Sequence, residues 1–137
     1  MGLYLCVFAD DVEIEGVEVG NYADFDVLRS TVKQLLEGGI AGAGYPILML
    51  HHDSDGDWNP AECKTLKAEL ESISESFRCL PATEFRAGWQ QQVAKALGLK
   101  PRCLFDSFID VDGEPLLERL QTLCDVAVES NQPILFQ

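Results

Sequence analysis

The stretch Leu3-Tyr4-Leu5-Cys6-Val7-Phe8 is a compact apolar run, and its length is typical of a buried β-strand. After an acidic corner at residues 10–11, apolar and acidic residues alternate imperfectly through residues 12–19. Gly16 shifts the alternation in the way that a β-bulge does. We therefore predict a β-hairpin whose second strand turns three glutamates toward solvent, namely Glu13, Glu15 and Glu18.

Four segments after the hairpin carry helix signals. Residues 22–37 place apolar side chains at helical spacing and end at two glycines. The clearest start signal is Asn59-Pro60-Ala61-Glu62, because asparagine suits the cap, proline the first helical position and glutamate the third position after the cap. Thr83 is expected to cap a third helix with Trp89 in its buried stripe, and a fourth helix begins near Pro115.

Three further segments predict strands. Pro46-Ile47-Leu48-Met49-Leu50 is a second buried apolar run, residues 104–111 suit a strand more than a helix, and residues 133–136 close the chain. The element order β-β-α-β-α-α-β-α-β predicts an α+β fold of α/β type, with a single mixed β-sheet of about five strands and about four packed helices. No linker is long enough to separate two domains, so we expect residues 1–137 to form a single domain.

The net charge of the chain limits the classes of partner that it is expected to bind. It has 10 Lys and Arg residues against 23 Asp and Glu residues, a formal net charge of -13, and residues 1–62 alone carry -10. Such a surface repels phosphate groups, so nucleic acid and anionic membranes are excluded as expected partners. A protein with a basic surface, or a cation, is the natural complement.

Two acidic loops follow predicted strands. The first is Asp53-Ser54-Asp55-Gly56-Asp57, and Asp110-Val111-Asp112-Gly113-Glu114 is its partial echo. Carboxylates at alternate positions suit calcium, so a calcium-binding module using Asp53 to Asp57 is one interpretation. The loop departs from an EF-hand, however, because glycine stands at the fourth rather than the sixth position. Turn chemistry with acids at helix N-termini and recognition of a protein are the other interpretations.

Trp58 ends the first acidic loop, where no helical or strand periodicity predicts its burial. Tryptophan is enriched among the residues that dominate interface energy. A tryptophan among carboxylates therefore suits a basic, partly apolar partner. The sequence is equally compatible with an indole that folds back over the end of the sheet.

The pair His51-His52 suggests a third alternative, a small metal-dependent hydrolase. Adjacent side chains in an extended segment point to opposite sides, so one histidine at most could join the aspartates, and the chain has only these two histidines. The five cysteines contain no CxxC pair, and no serine lies in a nucleophile elbow. We therefore expect no enzyme activity, no cofactor and no metal.

The start of the chain shows no export signal, because no basic stretch precedes the six-residue apolar run. That run is also too short for a membrane span. We expect a cytoplasmic protein with reduced cysteines.

Five segments together resemble the immunity protein 70 family of bacterial polymorphic toxin systems. They are Gly2 to Phe8, Glu13 to Gly20, Pro46 to Trp58, Phe108 to Leu120 and Pro133 to Gln137. The resemblance implies a non-enzymatic cytosolic protein that binds and neutralises a cognate toxin domain. Many such toxins are nucleases with basic clefts, which an acidic inhibitor reaches rapidly by electrostatic steering.

The candidate contacts with such a toxin fall into three groups. The first acidic loop and its tryptophan come first, the second acidic loop follows, and the glutamates of the hairpin form the rim. These residues are Asp53, Asp55, Asp57 and Trp58, then Asp110, Asp112 and Glu114, and finally Glu13, Glu15 and Glu18.

Overall fold

The predicted hairpin is present in the computed structural model, which describes residues 2–52 and 56–137. Strand β1 spans Gly2–Ala9 and strand β2 spans Val12–Asn21, and the two pair antiparallel. Asp10 and Asp11 form the turn with φ angles of 51° and 63°. Two left-handed residues in succession match the right-handed twist of the strands that they join.

The irregularity expected at Gly16 lies on either side of it. Gly16 pairs regularly with Cys6, whereas the register shifts between Leu3 and Tyr4 and again between Val7 and Phe8. Strand β2 therefore has two bulges, and neither lies at Gly16.

The sheet is antiparallel and has the strand order β2-β1-β4-β3. Strand β3 is the two-residue segment Asp57–Trp58, which the sequence did not predict, and β4 is Ile134–Phe136. Within residues 2–52 and 56–137 the sheet has four strands. The terminal strand β4 lies between β1 and β3, so the end of the chain completes the sheet near its centre.

The described part of the chain has five α-helices besides this sheet, and the α+β class is confirmed. A 3-10 helix at Leu104–Ser107 precedes the last of them. The predicted cap of α3 is also confirmed, because the Asn59 side chain accepts from the Glu62 amide at 2.8 Å and the Glu62 carboxylate accepts from the Asn59 amide at 3.0 Å. The helices are α1 at Tyr22–Leu36, α2 at Pro46–Leu50, α3 at Pro60–Arg78, α4 at Gly88–Leu97 and α5 at Leu116–Ser130.

The strand predicted at residues 46–50 is wrong, because this segment is the short helix α2. Pro46 begins the helix, and a carboxylate from α3 satisfies its first turn. Glu69 accepts from the amide of Ile47 at 3.1 Å and from that of Leu48 at 3.0 Å. A five-residue apolar run suits either a buried strand or a buried helical turn, and a residue distant in sequence decides between them.

The strand predicted at residues 104–111 is also wrong. The 3-10 helix is followed by an isolated bridge between Ile109 and Pro115, and both faces of the segment are buried. Thr83 does not cap α4, which begins at Gly88, since the Thr83 amide donates to the hydroxyl of Ser107 at 3.0 Å.

The core lies between one face of the sheet and helices α1, α3 and α5. Leu3, Leu5 and Val7 of β1 point into this core and are at most 1% exposed. Each such side chain contributes about 1.5–3 kcal/mol through its burial. Among the described residues, no helix combines the length and the apolar composition that crossing a bilayer requires.

Candidate functional site

The outer face of the sheet, which points away from the core, has apolar side chains at its centre. Tyr4 and Phe8 alternate along β1 with the core residues and are half-buried, and Leu135 of β4 is half-buried beside them. Exposed carboxylates stand on the neighbouring strands, since Glu13 pairs with Phe8, Glu18 with Tyr4 and Asp57 with Leu135. The outer patch is hereafter Tyr4, Phe8 and Leu135 with the rim residues Glu13, Glu18 and Asp57.

Tyr4 lies across the patch and is fixed at its hydroxyl. The hydroxyl donates to Oε2 of Glu13 at 2.8 Å. A Cβ atom at Gly16 would lie 2.5 Å from Cζ of Tyr4, so the absence of a side chain at Gly16 makes room for the ring. Burial raises the pKa of Tyr4 to about 12, and the hydrogen bond to Glu13 and its charge add to the effect. Tyr4 therefore stays a neutral donor that orients the Glu13 carboxylate.

Cys6 is the outer-face residue of β1 between Tyr4 and Phe8. Its side chain is fully buried, yet it stands apart from the main core cluster because it belongs to the outer face. Burial, followed by the charge of Glu13, raises the pKa of the Cys6 thiol. Because a thiol is a poor nucleophile and metal ligand until it ionises, Cys6 acts here as a small apolar residue.

The edge of β2 is joined to the second acidic loop by Arg119 of α5. Its Nη2 donates to the carbonyl oxygen of Gly16 at 2.8 Å, and its Nε donates to Oδ2 of Asp110 at 3.2 Å. Glu15 lies 3.7 Å from the same guanidinium. A backbone bond from the Val111 amide to the Glu18 carbonyl, at 3.2 Å, closes the junction. The structure therefore brings the hairpin glutamates and the second acidic loop together.

Within that loop the carboxylates have different surroundings. Asp110 is 1% exposed, and its Oδ1 accepts from the amides of Asp112 and Glu114, each at 3.0 Å. Asp110 thus organises the turn and cannot contact a partner in this conformation. Asp112 and Glu114 are exposed. Glu15 is half-buried beside Arg119, so it is less available than Glu13 and Glu18.

Asp57, the last residue of the first acidic loop, lies at the other edge of the sheet. Asp53 and Asp55 fall outside the described residues, whereas Asp57 is exposed in β3. Asp57 is three strand spacings from β2, which is about 14 Å. The two acidic regions therefore flank the outer patch from opposite sides.

Trp58 is buried, in keeping with an indole that folds over the sheet. It is 1% exposed, its Nε1 donates to the carbonyl of Ile47 at 3.1 Å, and it meets Phe136 edge-on with ring centroids 4.7 Å apart. The other tryptophan, Trp89, is half-buried and lines a cavity of about 340 Å³ together with Glu18 and Val111. Trp89 is thus the tryptophan beside the acidic surface.

His51 has neither ring nitrogen open toward solvent. Nε2 lies 2.8 Å from the carbonyl oxygen of Asp57, Nδ1 contacts the carbonyl oxygen of His52, and the ring stacks on Phe136. Metal coordination needs a free lone pair on one of these nitrogens. Among residues 2–52 and 56–137, no group of three or more His, Cys, Asp or Glu side chains could hold a metal ion.

The sequence signal for the centre of the outer patch was weak. A continuous apolar run predicts burial on both faces of a strand, so residues 3–8 did not distinguish the core-facing side chains from Tyr4 and Phe8. The sequence signal that was available is the alternation of glutamates with apolar residues in the second strand. In the structure, Glu13 and Glu18 of that strand stand opposite Phe8 and Tyr4.

Comparison with known proteins supplies one match. No curated protein sequence and no solved structure matches the chain. The family model described as Immunity protein 70 matches residues 3–136, which is nearly the whole sequence. The resemblance of the chain ends and acidic loops is confirmed by this match, and the chain belongs to the Immunity protein 70 family.

Proposed function

We propose that this protein binds a cognate bacterial toxin domain through the outer patch and neutralises it in the cytoplasm, by binding rather than by catalysis. Membership of an immunity protein family supports the general role. The observation that carries the proposal is the outer patch itself, in which half-buried Tyr4 and Phe8 lie inside a rim of exposed carboxylates.

The chemistry of the patch defines its partner. Aromatic side chains with few rotatable bonds lose little entropy on binding, and a tyrosine hydroxyl adds a polar contact. The rim carries Glu13, Glu18 and Asp57, so the complementary surface presents Lys or Arg around an apolar centre. A nuclease cleft has such a surface because it must hold phosphates. We therefore propose a nuclease domain as the toxin.

The interface extends beyond the patch. Four strands and three rows of side chains cover roughly 14 by 14 Å, or about 200 Å², whereas a stable interface buries about 800 Å² on each partner. The adjoining surface past Glu18 offers Trp89, Asp112 and Glu114. Asp53 and Asp55 remain candidates because they precede Asp57 in the chain.

The test pairs this protein with the toxin domain encoded beside it. The double variant Glu13→Lys/Glu18→Lys should lower the association rate constant at least about tenfold at low salt, because rim charges steer encounter. Stopped-flow fluorescence measures this rate, and co-expression measures survival of cells that make the toxin.

The matched control is Glu75→Lys/Glu129→Lys, which changes the net charge equally on exposed positions of α3 and α5. Its rate should fall by less than about threefold. If both variants lost the same factor in association rate constant, the effect would come from net charge alone. That result would contradict the assignment of the interface to the outer patch. A protein that neither binds the toxin nor protects cells from it would overturn the proposed function.

A further inference from the structure

Residues 78–102 carry a net positive charge, unlike the rest of this acidic chain. This segment has five basic residues and one acidic residue, a local net charge of +4, so the rest of the chain carries -17. The basic residues are Arg78, Arg86, Lys95, Lys100 and Arg102, and the acidic residue is Glu84. Trp89 belongs to this segment and lines the cavity beside Glu18, whereas Lys95 and Lys100 do not line that cavity. The charge of these two lysines is unsuited to the basic partner of the outer patch.

Residues of the same segment line an open groove of about 720 Å³. One wall is residues 82–85, which have no regular secondary structure, and the other is the side of α4 that carries Gln91, Ala94 and Lys95. Leu99 and Pro101 line the groove as well. The volume lies within the range of about 300–1,000 Å³ that is usual for small-molecule sites, so it can hold one side chain of a partner.

The irregular wall is held in place by hydrogen bonds. The Thr83 amide donates to the Ser107 hydroxyl at 3.0 Å, and the Phe85 carbonyl accepts from Nε2 of Gln91 at 2.9 Å. Ala82 and Glu84 are exposed between these points. The wall is thus an irregular segment held by hydrogen bonds next to Phe85, and such a groove suits an extended peptide.

The two lysines of the groove lack a close carboxylate partner among the described residues. Lys95 and Lys100 are exposed, and in the part of the chain that the structure describes neither lies within 4.0 Å of a carboxylate. Arg102 follows the groove residue Pro101, and its 92% exposed side chain lies 3.8 Å from Asp106. Glu84 is the one acid among the lining residues, so Lys95 and Lys100 make the lining net positive. Lys100 also lines a neighbouring cavity, whose acids are Asp106, Asp112 and Glu114.

We propose that this groove, the α4 groove, binds an extended acidic segment of a partner protein. An apolar side chain of the segment would rest between Phe85 and Ala94, and its carboxylates would meet Lys95 and Lys100. Charge complementarity argues for this occupant. The α4 groove would therefore be a second binding surface, opposite in charge to the outer patch, and the proposal does not depend on the toxin.

The test uses a capped Glu-Leu-Glu-Leu-Glu peptide as the probe and amide NMR spectra of the whole chain as the readout. The acidic peptide should shift the amides of residues 82–101, and a capped Lys-Leu-Lys-Leu-Lys peptide should leave them unchanged. The variant Lys95→Glu/Lys100→Glu should weaken the acidic peptide about tenfold, since both contacting charges are reversed. Lys64→Glu on exposed α3 is the control and should bind as the parent does.

Three outcomes would overturn the proposal. One is an acidic peptide that shifts no amide in residues 82–101. Another is an equal response to octanoate, which would assign the groove to small amphipathic anions. The last is a concentration-dependent shift of these amides without peptide, which would make a second copy of this chain the occupant. Thermal melts of the variants establish that each is folded.

Discussion

Arg119 and Asp110 form the ion pair that joins α5 to the second acidic loop, with Nε and Oδ2 separated by 3.2 Å. The carboxylate is 1% exposed and the arginine side chain 27% exposed. The same guanidinium bonds Gly16 of β2, so one side chain fixes the positions of the loop and the hairpin relative to each other. The acidic surface therefore depends on an ion pair whose carboxylate is buried and does not itself face solvent.

Replacing Arg119 by alanine should destabilise the fold by about 3 kcal/mol, because it leaves the Asp110 carboxylate buried without a counter-charge. Urea unfolding measures the change. The control is Arg102→Ala, which removes an exposed pair with Asp106 at 3.8 Å and should cost less than about 1 kcal/mol. Similar losses from the two variants would contradict the structural importance of the buried pair.

Gly16 and Tyr4 should show strong coupling in a double-mutant cycle. Gly16→Ala alone places a methyl group against the Tyr4 ring and should cost about 1 kcal/mol as the ring is displaced from Glu13. In a Tyr4→Ala background the same change should be neutral or stabilising, because alanine is favoured over glycine in a strand by roughly 0.5–1 kcal/mol. Urea unfolding of the four proteins gives the coupling energy. Additive effects would show that the ring does not occupy this space.

Tyr4 should titrate with a pKa of about 12, compared with its ordinary value of 10.0. Because the folded state favours the neutral phenol, the resulting stability is complete below pH 10 and is lost as the pH rises toward 12. Absorbance of tyrosinate, with Tyr4→Phe as the reference, isolates this one step. Glu13→Gln should lower the pKa but leave it above 10, since burial is the largest cause. A step at 10 in the difference between the parent and Tyr4→Phe would contradict the packing of the ring.

The elements that the sequence predicts correctly depend on short-range signals. The β1–β2 hairpin follows from an apolar run and alternating glutamates, and α3 begins where its own capping residues, Asn59 and Glu62, place it. The wrong assignments depend on distant partners. Glu69 lies 21 residues from Leu48 and makes α2 a helix by accepting its amides. No local pattern contains that information.

The residues of the candidate site likewise separate into those whose exposure follows from local sequence and those whose burial depends on distant partners. Exposed Glu13, Glu18, Asp112 and Glu114 were predictable because acidic residues in turns and edge strands face solvent. The burial of Asp110 was not, because it requires Arg119, nine residues away on α5. The burial of Trp58 requires the Ile47 carbonyl and Phe136 near the other end of the chain. Such contacts form only when the sheet is complete.

The two tryptophans should respond oppositely to replacement by phenylalanine. Trp58→Phe loses the hydrogen bond to the Ile47 carbonyl and leaves a small void in the core, which should cost about 2 kcal/mol of stability. Its affinity for the toxin, measured under conditions where the variant is folded, should be unchanged because the indole is 1% exposed. Trp89→Phe should weaken binding, since Trp89 is half-buried beside Glu18. It also loses the hydrogen bond from Nε1 to Asp24 at 2.9 Å, so its stability is measured in parallel. Titration calorimetry with urea unfolding separates the two effects, and weaker binding by Trp58→Phe alone would move the interface to the β3 edge of the sheet.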